Sequence, residues 1–353
     1  MTENENYLWE FLDENDDIVI IDSFVKANSV INNPNYKNIM CSISGGSDSD
    51  VILDLISKVD IDKKVKYVWF NTGLEYQATK DHLKYLEEKY NIEIIRERAI
   101  KPIPTTCREY GEPFLSKFVS DMIKMLQNNN FKFEDKSYEE LIEEYPNCKS
   151  AIGWWCNNRD TKDYGFSMFN INYNKYLKEF LVKNPPQFKI SSKCCKYAKK
   201  DVSKMLIKKY DIDLLIIGIR KSEGGIRSAK YKTCFSINNN NVDNYRPIFW
   251  YKDETKNEYE KKFKIKHSDC YTKYGFKRTG CCCCPYGREL EQELQAIKMF
   301  EPLLYKAVNN VFKNSYEYTR KYREFVRIKK LEEEDKQIKG QITIFDFIGD
   351  KNE

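Results

Sequence analysis

The stretch that most constrains this chain is a short apolar run that opens directly into a glycine loop. Asn38-Ile39-Met40-Cys41-Ser42-Ile43-Ser44 reads as a buried strand, and it leads without a spacer into Gly45-Gly46-Ser47-Asp48-Ser49. Beyond the loop, Val51, Ile52, Leu55 and Ile56 recur at helical spacing, which predicts a helix over 50–58. Strand, glycine turn and helix in that order make a cradle for phosphate. The glycines let the backbone approach, the hydroxyls of Ser44, Ser47 and Ser49 can donate, and a helix N-terminus favours an anion. Asp48 can hold Mg²⁺ against the same oxygens. A plain glycine turn capped by Ser and Asp would use the same residue types. The flanking strand and helix favour the phosphate reading.

Around this unit the chain alternates. An amphipathic helix is predicted over 18–31, a strand at Val65–Phe70 ending in Asn71-Thr72-Gly73, a helix at 77–90 and a strand at 92–96. Alternation resumes with a helix over 197–210 and the strand Leu214-Leu215-Ile216-Ile217-Gly218. Such spacing predicts an α/β fold with a parallel sheet and helical crossovers. The expected division is an N-terminal helical segment at 1–36 and a nucleotide-binding domain at 37–288. An insertion at about 102–184 covers the sheet, a helical C-terminal extension follows at 289–339, and a flexible tail closes the chain at 340–353.

The 353 residues carry Lys+Arg 59 against Asp+Glu 54, a mildly basic balance that permits an anionic ligand without arguing for nucleic acid. The acidic start lacks the basic and apolar regions of a signal peptide, and no apolar run approaches the roughly 20 residues that span a bilayer. The expected location is therefore the cytoplasm, with no membrane partner. The 12 cysteines then point to metal ligation or catalysis rather than disulfides. Cys281 and Cys284 have the spacing that lets two thiolates share one centre, and the tandem Cys194-Cys195 adds two more. Four soft thiolates suit an iron–sulfur cluster or zinc, and the tandem pair favours iron–sulfur. Cys282, Cys283 and Cys270 could replace an outer ligand or simply pack. Cys41, on the core strand, reads as a small buried hydrophobe.

Ser-Gly-Gly-Ser-Asp-Ser resembles the signature of the PP-loop ATP pyrophosphatases. Asn71-Thr72-Gly73-Leu74-Glu75 and Gly218-Ile219-Arg220-Lys221-Ser222-Glu223-Gly224-Gly225-Ile226-Arg227 resemble segments of the phosphoadenosine phosphosulfate (PAPS) reductase-like branch. Tyr245–Trp250 and Arg278-Thr279-Gly280-Cys281 are similar to its later landmarks. The resemblance runs from about Asn38 to Gly287 and departs from the pattern at Ser47, commonly Lys, and Asn71, commonly Asp. It implies an adenine nucleotide alpha-hydrolase-like (HUP, Rossmann-like) sheet that binds ATP or an adenylyl sulfonucleotide. The expected nucleotide contacts are Ser44–Ser49, Asn71, Thr72, Gly73, Gly218, Arg220, Glu223 and Arg227, with Asp48, Arg220 and Arg227 in catalysis. Two guanidiniums after the end of a parallel strand suit an oxyanion better than two lysines would.

The same resemblance implies a [4Fe–4S] cluster on Cys194, Cys195, Cys281 and Cys284, zinc being the alternative. The implied reaction is sulfonucleotide reduction or ATP-dependent sulfur transfer. A cysteine near the C-terminus, similar to the nucleophile of the classical reductases, is missing after Cys284. Two other classes are modification of nucleic acid, by DNA phosphorothioation or tRNA thiolation, and nucleotide sensing without catalysis. The basic stretch Arg320–Lys330 could meet nucleic acid, though a solvated helix face, balanced by Glu332-Glu333-Glu334-Asp335, is the better reading. Gln341-Ile342-Thr343-Ile344-Phe345 is similar to the peptide with which bacterial proteins dock on the DNA sliding clamp.

Overall fold

Helical periodicity at 18–31 gives helix α1 (Ile18–Ile31), whose apolar face buries Ile20, Phe24, Ala27 and Ile31 and whose first turn is capped by Asp17 Oδ1 on Val19 N at 2.8 Å. The computed structural model describes Leu8 and residues 10–159, 167, 169–224, 228–238 and 242–349, with side chains as far as Asp335. The glycine loop joins β1 (Ile39–Ser42) to α2 (Ser47–Val59). After β2 (Val65–Asn71) come α3 (Gln77–Tyr90) and β3 (Ile94–Arg98), and later β4 (Leu214–Ile216), β5 (Phe235–Ser236) and β6 (Asp243–Tyr245).

These strands form one sheet in the order β3-β2-β1-β4-β6-β5. All neighbours are parallel except β5 against β6. The α/β parallel-sheet expectation is met. β1 lies in the middle because it can bury both faces: Ile39, Met40 and Cys41 are each 0% exposed. Ile39 and Met40 each contribute roughly 1.5–3 kcal/mol by leaving water. Strand order reverses at β1, with β2 on one side and β4 on the other, so a crevice opens at the carboxyl ends of β1 and β4.

The described chain divides into two compact units, of which the first, Met1–Thr105 with Cys194–Cys284 and Glu289–Ala307, carries the sheet. The second combines Thr106–Lys193, Pro285–Arg288 and the residues from Val308 onward. Its own core is aromatic, with Phe114, Trp154, Trp155, Phe180, Tyr318 and Tyr322 buried together. The final helix, Lys313–Gly349, is tied into that unit where Glu112 accepts from Asn314 Nδ2 and Ser315 N, both at 2.7 Å. That helix continues through the expected tail, and it contains Gln341–Phe345, whose side chains lie outside the described ones.

The second unit also has a fastened neck. Glu112 N donates to Lys189 O and Ser191 N donates to Glu112 O, each at 2.9 Å, forming a parallel bridge between Glu112 and Ile190. Gly111 makes the approach possible. Its φ is +106°, and a Cβ there would sit 2.1 Å from Lys189 O. The basic stretch of the last helix is largely engaged within this unit: Arg327 pairs with Glu324, Lys329 with Glu179 and Glu332, and Arg323 donates to the carbonyls of Gly287 and Arg288. No described helix is long and apolar enough to cross a membrane.

Candidate functional site

The loop after β1 is shaped by its own backbone and one serine. Gly45 takes φ +70°, and a Cβ there would meet Thr79 Cγ2 at 2.8 Å, so glycine is required. Ser49 Oγ accepts from Gly46 N at 3.1 Å and Ser44 N at 3.3 Å, and donates to Gly46 O at 2.9 Å. That hydroxyl, expected to donate to phosphate, holds the turn instead. Ser47 and Asp48 begin α2 and face a cavity of about 690 Å³ at the carboxyl ends of β1 and β4.

Residues from five later segments complete the walls. Gly218 follows β4, packed so closely on α2 that an added Cβ would lie 3.1 Å from Ile52 Cδ1. Arg220 Nε and Lys256 Nζ come within 3.1 and 2.9 Å of Asp48 Oδ1, although neither contact is aligned as a hydrogen bond. Arg220 Nη1 donates to Asp253 Oδ1 at 2.7 Å. Asp48 and Glu223 stand close enough on the cavity wall to perturb one another. Burial and then the neighbouring Asp48 push the Glu223 carboxyl up; burial works the same way on Asp48, but Lys256, Glu223 and Arg220 bring Asp48 below its ordinary value. Glu223 also accepts from Arg278 at 3.2 Å. Two carboxyl side chains on the cavity wall, one with a buried oxygen in no aligned hydrogen bond, offer the kind of oxygen ligands a divalent cation takes beside phosphate.

The structure brings Ser44, Gly46, Ser47, Asp48, Ser49, Gly218, Arg220 and Glu223 to this cavity. Asn71, Thr72 and Gly73 have a different task. Asn71 Oδ1 accepts from Gly73 N at 3.1 Å, and Thr72 bonds through N and Oγ1 to Glu75 Oε1 at 3.0 and 2.5 Å. They build the turn that aims Glu75 into the cavity, and Glu75 lines it while they do not. Burial raises the Glu75 carboxyl against the pull of Thr72. Arg227 lies outside the described residues.

Several lining residues were not singled out from sequence: Lys199, Lys256, Tyr271 and Lys277. Tyr271 OH accepts from Ser47 N and meets Thr279 Oγ1, both at 3.1 Å. Nothing in the sequence marks Lys256 or Tyr271, because neither sits in a recognisable spacing. Beneath the loop lies a buried chain of acids and both histidines. His82 Nε2 is 3.0 Å from Asp50 Oδ1, His267 Nδ1 is 2.8 Å from Asp50 Oδ2, and His267 Nε2 is 3.0 Å from Glu260 Oε1. Burial opposes charge on His267, but Asp50 and Glu260 together raise its pKa to about 9.

The thiols divide into separate neighbourhoods. Cys194 and Cys195 end a short helix that passes into a π-helical turn, Lys196–Lys200, and that turn carries Lys199 to the cavity wall. Lys199 contacts Cys281, with Cys195 close by; burial pushes the Cys281 thiol up while the ammonium works the other way. Cys282 N instead donates to Leu74 O at 3.3 Å, and Cys283 N donates to Tyr76 OH at 2.9 Å. The Tyr76 hydroxyl in turn reaches Glu293 Oε2 at 3.2 Å, a carboxyl that burial raises to about 7. Among the described residues no three His, Cys, Asp or Glu side chains are grouped to hold a metal ion. Cys194, Cys195, Cys281 and Cys284 are thus not gathered into one centre: an ammonium stands beside Cys281, and Tyr76 and Leu74 bind the backbone that follows it. None of the twelve cysteines is in a disulfide, and Cys41 is buried in the core as expected.

A family model described as phosphoadenosine phosphosulfate reductase domain matches residues 38–142 and 156–286. An uncharacterized protein of Methanocaldococcus jannaschii, MJ0066, is 30% identical over 144 residues, which span 40% of this chain and 27% of that relative's length. Among solved structures, phosphoadenylyl-sulfate (PAPS) reductase from Candida auris in a phosphate complex aligns with TM-score 0.40 and 14% identity, over 80% of this chain and 95% of that one. NH3-dependent NAD synthetase from Campylobacter jejuni gives TM-score 0.35 and 10% identity, over 85% and 94%. U34-tRNA thiolase NcsA from Methanococcus maripaludis, with its [4Fe-4S] cluster, gives TM-score 0.35 and 14% identity, over 86% and 79%.

Proposed function

Because this chain belongs to the phosphoadenosine phosphosulfate reductase domain family, we propose that it is a PP-loop enzyme whose cavity takes ATP or an adenylyl sulfonucleotide by its phosphates. The observation that carries this reading is the meeting of the Ser44–Ser49 loop with Arg220 and Glu223 at the ends of β1 and β4. Loop backbone and Arg220 face the cavity that the phosphates would occupy, and catalysis there is mainly positioning and charge neutralisation. With ATP, an acceptor atom attacks the α-phosphorus and pyrophosphate leaves with the bonding pair. Asp48 and Glu223 would hold Mg²⁺, whose charge offsets that of the phosphates. Arg227 belongs to the same proposal as a second guanidinium for phosphate or sulfate.

Sulfur transfer or sulfonucleotide reduction is the chemistry we assign, supported by Cys281 and Cys195 beside the cavity residue Lys199. Anaerobic purification with iron and acid-labile sulfide assays decides whether the four thiols take one, and colourless protein with stoichiometric zinc would replace it.

The deciding experiment offers the full chain radiolabelled ATP and, with a dithiol added as two-electron reductant, adenylyl sulfates, each with and without tRNA or DNA. Pyrophosphate or sulfite is the expected product. Pyrophosphate release that requires the nucleic acid would identify the acceptor. Tight binding without any product would make the protein a sensor and remove the enzyme reading.

A further inference from the structure

We propose that Lys256 is a phosphate-binding residue of the cradle, delivered from a helix outside the loop and held in place by a buried acid–histidine chain. The inference rests on the nucleotide reading of the cavity. No side chain from Ser44 to Ser49 is cationic, and Asp48 adds a negative charge exactly where phosphate must be tolerated. Lys256 offsets this from the Asp253–Lys262 helix. It is 9% exposed and lines the cavity, with Nζ 2.7 Å from Ser47 Oγ, 2.9 Å from Asp48 Oδ1 and 3.3 Å from Glu260 Oε1.

An ammonium this buried needs strong acceptors, and it has two in the loop, Ser47 and Asp48, and one on its own helix, Glu260. Its contact with Asp48 is close but unaligned, so a phosphate oxygen arriving at Ser47 can take over that partner. Glu260 then remains as the fixed one. Glu260 is anchored by His267, and His267 by Asp50, which lies on α2 itself. The loop's own helix and the helix that bears Lys256 are therefore cross-tied by one imidazole that touches a carboxylate through each nitrogen. That tie fixes the distance from ammonium to loop, which a long flexible side chain could not do alone.

The test is calorimetric binding of inorganic pyrophosphate, ATP and AMP, each with Mg²⁺, to the full-length protein and to Lys256→Met and Lys256→Arg. Loss of one charge-assisted bond predicts about a ten- to hundredfold weaker pyrophosphate and ATP affinity for Lys256→Met. AMP should change far less, the salt dependence of pyrophosphate binding should flatten, and Lys256→Arg should recover most of the loss. Pyrophosphate binding by Lys256→Met equal to that of the unaltered protein overturns the inference. Failure of the unaltered protein to bind any of the three ligands overturns the underlying reading instead. Should Lys256→Met not fold, amine-reactive labelling of the unaltered protein replaces it. Protection of Lys256 by pyrophosphate supports the role, and unchanged labelling removes it.

Discussion

The glycine loop and the cysteine run are both short, conspicuous motifs of the sheet-bearing unit, yet they are built in opposite ways. Ser44–Ser49 is closed mainly by itself: Gly45 supplies the backbone turn, Ser49 ties three loop atoms, and β1 and α2 flank it directly, with Tyr271 the one described remote side chain shown on its backbone. Cys281–Cys284 is shaped by remote partners, with Lys199 beside the first thiol, Leu74 on the second residue and Tyr76 on the third. A motif that satisfies its own backbone can be read from spacing. One whose groups are satisfied from elsewhere cannot, because spacing is silent about what competes for each atom.

The sharpest way to break this contrast is Gly45→Val. Left-handed strain and the clash with Thr79 should together cost roughly 2–4 kcal/mol and abolish phosphate binding, as urea unfolding and pyrophosphate titration would show. A fully stable variant would mean that the loop is not self-closed. Next in size is Tyr76→Phe, which removes the acceptor of Cys283 N and the donor to Glu293. About 1–3 kcal/mol of stability should go, with nucleotide affinity nearly kept. Equal loss of affinity would instead join the two motifs into one site. Ser49→Ala should cost about 1 kcal/mol, read from the urea midpoint, and loosen the loop without removing a phosphate contact.

The smallest effect is a pH slope. His267 is raised from 6.5 to about 9, so its contribution is fully present below pH 6.5 and is lost as pH rises through about 9. The melting temperature of the unaltered protein should therefore fall across that interval, and His267→Gln should flatten the fall. A slope that persists in His267→Gln would assign it to other groups.

Most of the sheet was legible because its strands are apolar runs set between helical periods; α1 and α3 match their expected spans at both ends. β5 and β6 were not foreseen. Phe235-Ser236 and Asp243–Tyr245 are too short and too polar to signal a strand; pairing with β4 makes β6 one, and pairing with β6 makes β5 one. In the candidate site, Asp48, Arg220 and Glu223 were found through their motifs. Asn71, Thr72 and Gly73 were placed in the right turn but not in the cavity, because sequence locates a turn without showing which of its side chains faces inward. Lys256 had no local signature, since its position depends on how a later helix packs against α2.

The fastened neck at Glu112 and Ile190 changes how far apart β3 and β4 are for a chain that is folding. Counted along the covalent chain they stand at Arg98 and Leu214, a separation that makes parallel pairing slow and entropically costly. Once the bridge at Gly111 and Lys189 has formed, the whole intervening detour begins and ends at nearly one point. The sheet then meets a short effective loop, and the central pairing of β1 with β4 can close as though the detour had been excised.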